Sequence, residues 1–216
     1  MMRTIELMPT KLAGSPAERT MRSVPLRYPS SEVPPVTKVR STLVASSLRA
    51  ITDTDRFAEY QELLPSQLHP IVLGALAGSW LDIDAVVEHY RAMDSLGLEV
   101  PEQVSLGEAV GSTVRTYLIG NAARVAPAVD ATPWSILPHT QRTWDRLYVG
   151  GDVGIEESGP QQFIRTIYGL PLCKIPYFRH ASRGIMRSVV SRWCASCEVT
   201  ELACTANTLR WQVSWT

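Results

Sequence analysis

The chain has 216 residues, of which 45% are hydrophobic, 19% charged and 7% aromatic, with 21 basic side chains against 21 acidic ones. Such a chain is long enough for a sizeable core without disulfide staples, which excludes a mini-protein, a collagen and a wholly disordered chain. The balanced charge supplies no global field for nucleic acid or an anionic membrane, and the longest nearly apolar run, Ile71 to Leu81, is about half the ~20 residues a membrane helix needs.

Residues 1–35 hold six of the fifteen prolines and no apolar period that lasts two turns. They read as an extended or disordered N-terminal arm, or as an arm that lies along a protein partner through anchors such as Val24, Leu26 and Tyr28. From Val36 onward the period becomes helical. Val39, Leu43, Val44, Leu48 and Ile51 share one stripe, and Phe57, Tyr60, Leu63 and Leu64 share another before Pro65, which predicts two short helices. Ile83, Val86, Val87, Tyr90 and Met93 predict a third, capped by Asp82 and ended by Gly97. Ser105 and Glu108 form a capping box that opens a fourth, with Leu106, Val110, Val114, Tyr117 and Leu118 on one face up to Gly120.

Residues 133–148 predict a helix that turns Leu137, Trp144, Leu147 and Tyr148 to the core and stops at Gly150-Gly151. The period then shortens to two: Val153 and Ile155, a turn at Ser158 to Pro160, and Gln161 to Tyr168 read as a hairpin. Pro176 opens a helix with Phe178, Ile185, Met186, Val189, Val190 and Trp193 on one arc. Cys197 to Cys204 and the alternating Leu209, Trp211, Val213 and Trp215 close a second hairpin. The fold class is therefore α+β, a helical N-terminal half followed by helix-hairpin-helix-hairpin with a small antiparallel sheet, in a single domain spanning residues 36–216.

Three groups of side chains carry chemistry. Cys194 and Cys197 have the spacing of a zinc knuckle or a redox dithiol, with Cys204 and Cys173 nearby, although plain packing accounts for them equally simply. Arg179, Arg183 and Arg187 form an i, i+4, i+8 ladder suited to an anion or an acidic partner, or to a solvated flank. Ten of the sixteen aromatic residues lie beyond residue 130, which points either to a filled core or to an apolar pocket lined by Trp144, Tyr148, Tyr168, Phe178 and Trp193. No nucleophile elbow, phosphate loop or histidine-based metal motif occurs, so no catalytic residue is assigned.

The order of short motifs resembles a family of myxobacterial proteins of about 200 residues known as a domain of unknown function. The stretches are Val39-Arg-Ser-Thr-Leu43, Ser79-Trp-Leu81, Leu106-Gly107, Thr143 to Tyr148, Ser158-Gly-Pro160, Gly169-Leu-Pro-Leu172, Pro176-Tyr-Phe-Arg179 and Trp211 to Trp215. That family is similar to haem-NO-binding-like and four-vinyl-reductase-type ligand-binding domains. The resemblance implies a sensory module, often dimeric, with a small apolar molecule held between helices and sheet. It also implies a zinc site to which Cys173, Cys194, Cys197, Glu201 and Cys204 are the candidates, Glu201-Leu-Ala-Cys204 matching the family's step while Trp211-Gln-Val213 stands where its last cysteine belongs. No histidine stands in a motif for a haem ligand.

The combined expectation is a non-enzymatic, cytoplasmic small-molecule-binding module that forms a homodimer, without nucleic-acid or membrane partners. The cytoplasm is inferred from four cysteines and six methionines together with the lack of a charged-then-apolar leader. The alternative is a scaffold protein of a larger assembly that uses residues 1–35.

Overall fold

A computed structural model describes residues 21–76, 78–119 and 132–216, with residues 114–119 described by backbone alone. The predicted roles of Val114, Tyr117, Leu118 and Gly120, and of residues 1–20, lie outside what is described. In chain order the elements are β1 (Ser23–Val24), β2 (Lys38–Arg40), α1 (Ser41–Thr52), α2 (Phe57–Leu63), α3 (His69–Val72), β3 (Trp80–Asp82), α4 (Ile83–Ser95) and α5 (Val100–Ile119). A 3-10 segment (Pro133–His139) leads into α6 (Thr140–Leu147), β4 (Tyr148–Val149), β5 (Asp152–Gly159), β6 (Gln162–Tyr168), α7 (Pro176–Val190), β7 (Cys197–Cys204) and β8 (Thr208–Trp215). The fold is α+β, with a helical first half and an antiparallel sheet in the second, as the period change at residue 150 predicts.

Three boundaries differ from the sequence reading, each for a local reason. α5 starts at Val100, five residues before the capping box, because Pro101 needs no N–H in a first turn and the Glu102 carboxylate accepts the Glu99 N–H at 2.8 Å. Segment 133–148 splits into a 3-10 run and α6, since Pro138 withholds a ladder hydrogen bond within it. Asp82 does sit at the start of α4 but caps nothing. It also ends β3 opposite Lys38, and its carboxylate lies 3.7 Å from the Lys38 ammonium instead.

The larger sheet has five strands in the order β1-β5-β6-β8-β7, and a second of three strands runs β3-β2-β4. The small sheet consists of two- and three-residue strands, too short to carry a readable period. In the large sheet Phe163, Arg165 and Ile167 pair across β6 and β8 with Val213, Trp211 and Leu209. These residues, with Val153 and Ile155 of β5 and Val199 of β7, form the face turned to the helices. α6 packs on β5 at one side of that face and α7 on β7 at the other.

α7 is held against α5 by backbone contact. A Cβ on Gly107 would come within 1.9 Å of the Ala181 carbonyl oxygen, and one on Gly184 within 2.0 Å of the Val104 carbonyl oxygen, so only hydrogen fits at the crossing. Residues 21–36 run over the opposite face and edge of the sheet. β1 pairs with β5, the Arg22 N–H donates to Glu157 Oε2 at 2.9 Å, and the Gly151 N–H donates to the Pro34 carbonyl at 2.8 Å. Asp152, 0% exposed as a side chain, accepts from Arg27 N at 2.6 Å and from Arg27 Nε at 3.2 Å. Gly150 (φ 85°) and Gly151 (φ 67°) make the turn beneath this strap, where a Cβ on Gly150 would meet the Pro35 carbonyl oxygen at 2.2 Å.

Candidate functional site

Side chains alternate across a strand, so β6 presents Phe163, Arg165 and Ile167 on one face and Ile164, Thr166 and Tyr168 on the other. Arg165 therefore enters the core from the middle of the sheet, in a row that reads Ile155, Arg165, Trp211 and Glu201 from β5 to β7. Its guanidinium carbon lies 5.5 Å from the centroid of the Trp211 ring. Burial holds its pKa down to about 10, and its electrostatic neighbours are the Tyr148 hydroxyl and the Cys173 thiol. Among the described residues no carboxylate pairs with it, and no group accepts a hydrogen bond from it.

Both Arg165 and Tyr148 sit deep in the fold while each keeps part of its surface accessible. Arg165 lies on the helix-facing side of β6, with α6 on β5 to one side and α7 on β7 to the other. Tyr148 stacks on Trp144 with ring centroids 4.3 Å apart, and Trp144 Nε1 donates to the Gly150 carbonyl at 3.0 Å. Burial pushes the Tyr148 hydroxyl up to about 12 against the opposing charge of Arg165, and pushes the Cys173 thiol up to about 12. Both groups are thus neutral beside the Arg165 guanidinium, and Cys173 also has Arg179 and Glu201 as charged neighbours. Trp211, 1% exposed, adds an indole N–H without a hydrogen-bond partner.

The five aromatic residues singled out from the sequence separate. Trp144 and Tyr148 meet beside Arg165. Phe178 belongs to the helical half, edge-on to Tyr90 at 5.1 Å. Tyr168 is on the sheet face under the N-terminal strap, paired in register with Asp152. Trp193 follows the end of α7 in a turn and is half-buried. The arginine ladder is largely spent on the fold: Arg179 lies 3.3 Å from Glu201, Arg183 Nε donates to the Val199 carbonyl at 3.1 Å, and Arg187 lies 3.1 Å from Glu108. The sequence reading passed over Arg165, although an arginine between Phe163 and Ile167 in an alternating strand is the one break in an apolar row.

The zinc expectation is corrected. Among the described residues, no group of three or more histidine, cysteine or acidic side chains could hold a metal ion. Cys197 and Cys204 occupy opposite ends of β7, roughly 20 Å apart along an extended strand, so the cysteines form two separate neighbourhoods. Cys204 donates to the Cys173 carbonyl at 3.2 Å at one end, and Cys194 donates to the Val190 carbonyl at 3.5 Å near the other. Glu201 between them is engaged by Arg179.

Solved structures share this arrangement of helices and sheet. The chain superposes on the Fe(II) unliganded H-NOX protein from K. algicida with a TM-score of 0.60 at 9% identity, over 82% of this chain and 96% of that one. The fold is H-NOX-like. An oxygen-binding H-NOX domain related to soluble guanylate cyclases, in its oxygen complex, gives 0.55 at 10% identity over 82% and 95% of the two chains. A structure described for heme redox potential and protein-induced porphyrin distortion gives 0.52 at 12% over 82% and 99%. No family of sequences and no curated protein matches the chain.

Heme is thus the cofactor named for structures of this fold, and the four histidines decide whether an imidazole here could ligate its iron. His89 is fully buried and uses both nitrogens, Nδ1 at 2.7 Å from the Tyr60 hydroxyl and Nε2 at 3.1 Å from Ser47 Oγ. His69 Nε2 lies 3.1 Å and 3.0 Å from the carbonyls of Gln61 and Leu64. His139 is exposed at the junction of the 3-10 segment and α6. His180 has a buried Nδ1 without a partner, but its charged neighbours are Arg183, Arg179, Glu201 and Asp94 and do not include Arg165. No imidazole is a neighbour of Arg165, so no histidine is placed to ligate the iron of a heme seated beside it.

Proposed function

We propose that this chain is a non-catalytic small-molecule-binding module of sensory type, with its ligand seated over β6 beside Arg165, Tyr148 and Trp144. The observation that carries this reading is Arg165 itself. Arg165 is part-buried on an apolar sheet face with no carboxylate paired to it among the described residues, and a bound ligand would offset the cost of desolvating it. The H-NOX-like fold, in a chain without a helix among the described residues long and apolar enough to cross a membrane, agrees with that reading.

The resemblance to the myxobacterial family, the cytoplasmic setting and a homodimer are parts of the same proposal. Residues 21–35, which the scaffold reading would lend to a partner, contact the chain's own sheet.

Native mass spectrometry on gently purified full-length protein tests the binding role, together with thermal-shift measurements on cis-parinaric acid, its methyl ester and protoporphyrin. A retained mass of small-molecule size, or a rise in melting temperature with one of these probes, is the expected result. A bare chain whose melting temperature none of them moves refutes the proposal.

A further inference from the structure

The four thiols fall into two places in the fold, and the pair that sequence spacing singles out is the less consequential. Cys194 and Cys197 flank a short turn between α7 and β7, so a bond between them would close only a local loop. Cys173 and Cys204 are 31 residues apart. Cys173 stands just before α7 and Cys204 ends β7, so both elements lie between them.

Independent contacts bring these two residues together. Cys204 Sγ donates to the carbonyl of Cys173 itself at 3.2 Å. The Leu170 N–H donates to the Asn207 carbonyl at 3.0 Å, which docks the segment that carries Cys173 on the turn between β7 and β8. The Cys173 thiol has Cys204 as its foremost electrostatic neighbour, ahead of Arg179 and Glu201. Their access to solvent differs: Cys173 is 0% exposed, while Cys204 is half-buried. A soluble oxidant therefore meets Cys204 first. Arg179 Nη1, 3.6 Å from the Cys204 sulfur, sets a cation beside the charge that the sulfur carries as it attacks. Burial pushes the Cys173 thiol up to about 12, which leaves it inert until the sulfur next to it becomes electrophilic.

We infer that Cys173 and Cys204 form a reversible disulfide that ties the lead-in of α7 to the end of β7, with Cys204 the thiol oxidised first and Cys173 the thiol that resolves it. This modification site goes beyond the binding role and does not depend on it. With hydrogen peroxide as the oxidant, the Cys204 sulfur attacks one peroxide oxygen, the O–O bond breaks and hydroxide leaves, which gives a sulfenic acid. The Cys173 sulfur then attacks Cys204 Sγ, the S–O bond breaks, and the departing hydroxide takes the Cys173 proton as water. The two thiols together lose two electrons and two protons, and the peroxide becomes two waters. Dithiothreitol returns both thiols by exchange.

The test treats the folded full chain with hydrogen peroxide, both as wild type and with Cys194→Ser and Cys197→Ser, followed by intact-mass measurement and tryptic mapping. The expected result is the loss of two hydrogens in the serine variant, a peptide pair joined through Cys173 and Cys204 in both proteins, and reversal by dithiothreitol. The oxidised serine variant should melt about 5–10 °C above its reduced form, because closing a loop of this length restricts the unfolded chain. With Cys173→Ser added, dimedone should label Cys204 as its sulfenic acid; with Cys204→Ser added, Cys173 should stay unlabelled. Circular dichroism shows whether each variant is folded, and the wild-type map carries the linkage result where one is not.

Cys173 and Cys204 both still free after treatment, or joined in the wild type to Cys194 or Cys197 instead of to each other, overturns the inference. So does a bond that leaves the melting temperature unchanged or lower, since native contacts would then have been broken to make it. Dimedone label on Cys173 in the Cys204→Ser chain overturns the assigned order of the two thiols.

Discussion

Arg165→Met should make the ligand-free protein more stable. A guanidinium pKa held down to about 10 by burial corresponds to roughly 3 kcal/mol against the charged form at neutral pH. Arginine stays protonated there, so the penalty is carried as lost folding stability. Methionine keeps most of the apolar stem and discards the charge, at the loss of the contact with the Trp211 ring, worth about 0.5–1 kcal/mol. With imperfect packing around the new thioether, the net gain is about 1–2 kcal/mol, or about 2–8 °C in melting temperature for a chain of this length. Differential scanning calorimetry on ligand-free protein, stripped by partial unfolding and extraction, reads this directly. A fall of 3 °C or more would show that Arg165 has a structural partner in the folded chain, which would remove the central premise of the proposed site.

Three further outcomes follow from the same structure. Gly184→Ala should cost about 3 kcal/mol or more in urea unfolding, because its Cβ would lie 2.0 Å from the Val104 carbonyl oxygen and must part α5 from α7; a cost under 1 kcal/mol would mean that the crossing is looser than described. Arg27→Met leaves the Asp152 carboxylate in the sheet without its cation and should cost about 2–3 kcal/mol, less than a fully buried pair because Arg27 is itself 37% exposed. Limited proteolysis should then cut within residues 21–35 faster, and an unchanged cleavage rate would deny the strap its anchor. His89, with its pKa lowered by burial to about 3, stays neutral in the folded chain while the unfolded chain takes up a proton near pH 6.5. Stability should thus be fully present above pH 6.5 and be lost as pH falls from there toward 3, and His89→Phe should flatten that part of the pH profile. A variant profile parallel to wild type between pH 6.5 and 4 would contradict the neutral, buried assignment.

How far the site could be read in advance depends on the range of the interactions concerned. Trp144 and Tyr148 are four residues apart near the end of one helix, so their stacking is close to a local property that periodicity exposes. The cysteines show the opposite case. Cys194 and Cys197 are neighbours in sequence, and Cys204 follows closely, but the extended conformation of β7 sends Cys204 away from the other two and toward Cys173, just before the start of α7. Short sequence spacing gathers ligands in a turn and disperses them along a strand.

The amino-acid sequence by itself determined the elements and their inward faces: the 3.6-residue stripes of α1, α4 and α7, the two-residue alternation of β6 and β8, and the glycines that stop α4 and follow α6. These are consequences of local geometry and of the need to bury one face, and each is contained in a window of a few turns. The tertiary structure alone decided what Arg165 means. In the sequence it is one arginine among many, and only the register of β5, β6 and β8, with α6 and α7 set on either side, places it on an apolar surface with no carboxylate paired to it among the described residues. Long-range pairing settles which polar groups find partners, and no window of a few turns contains it.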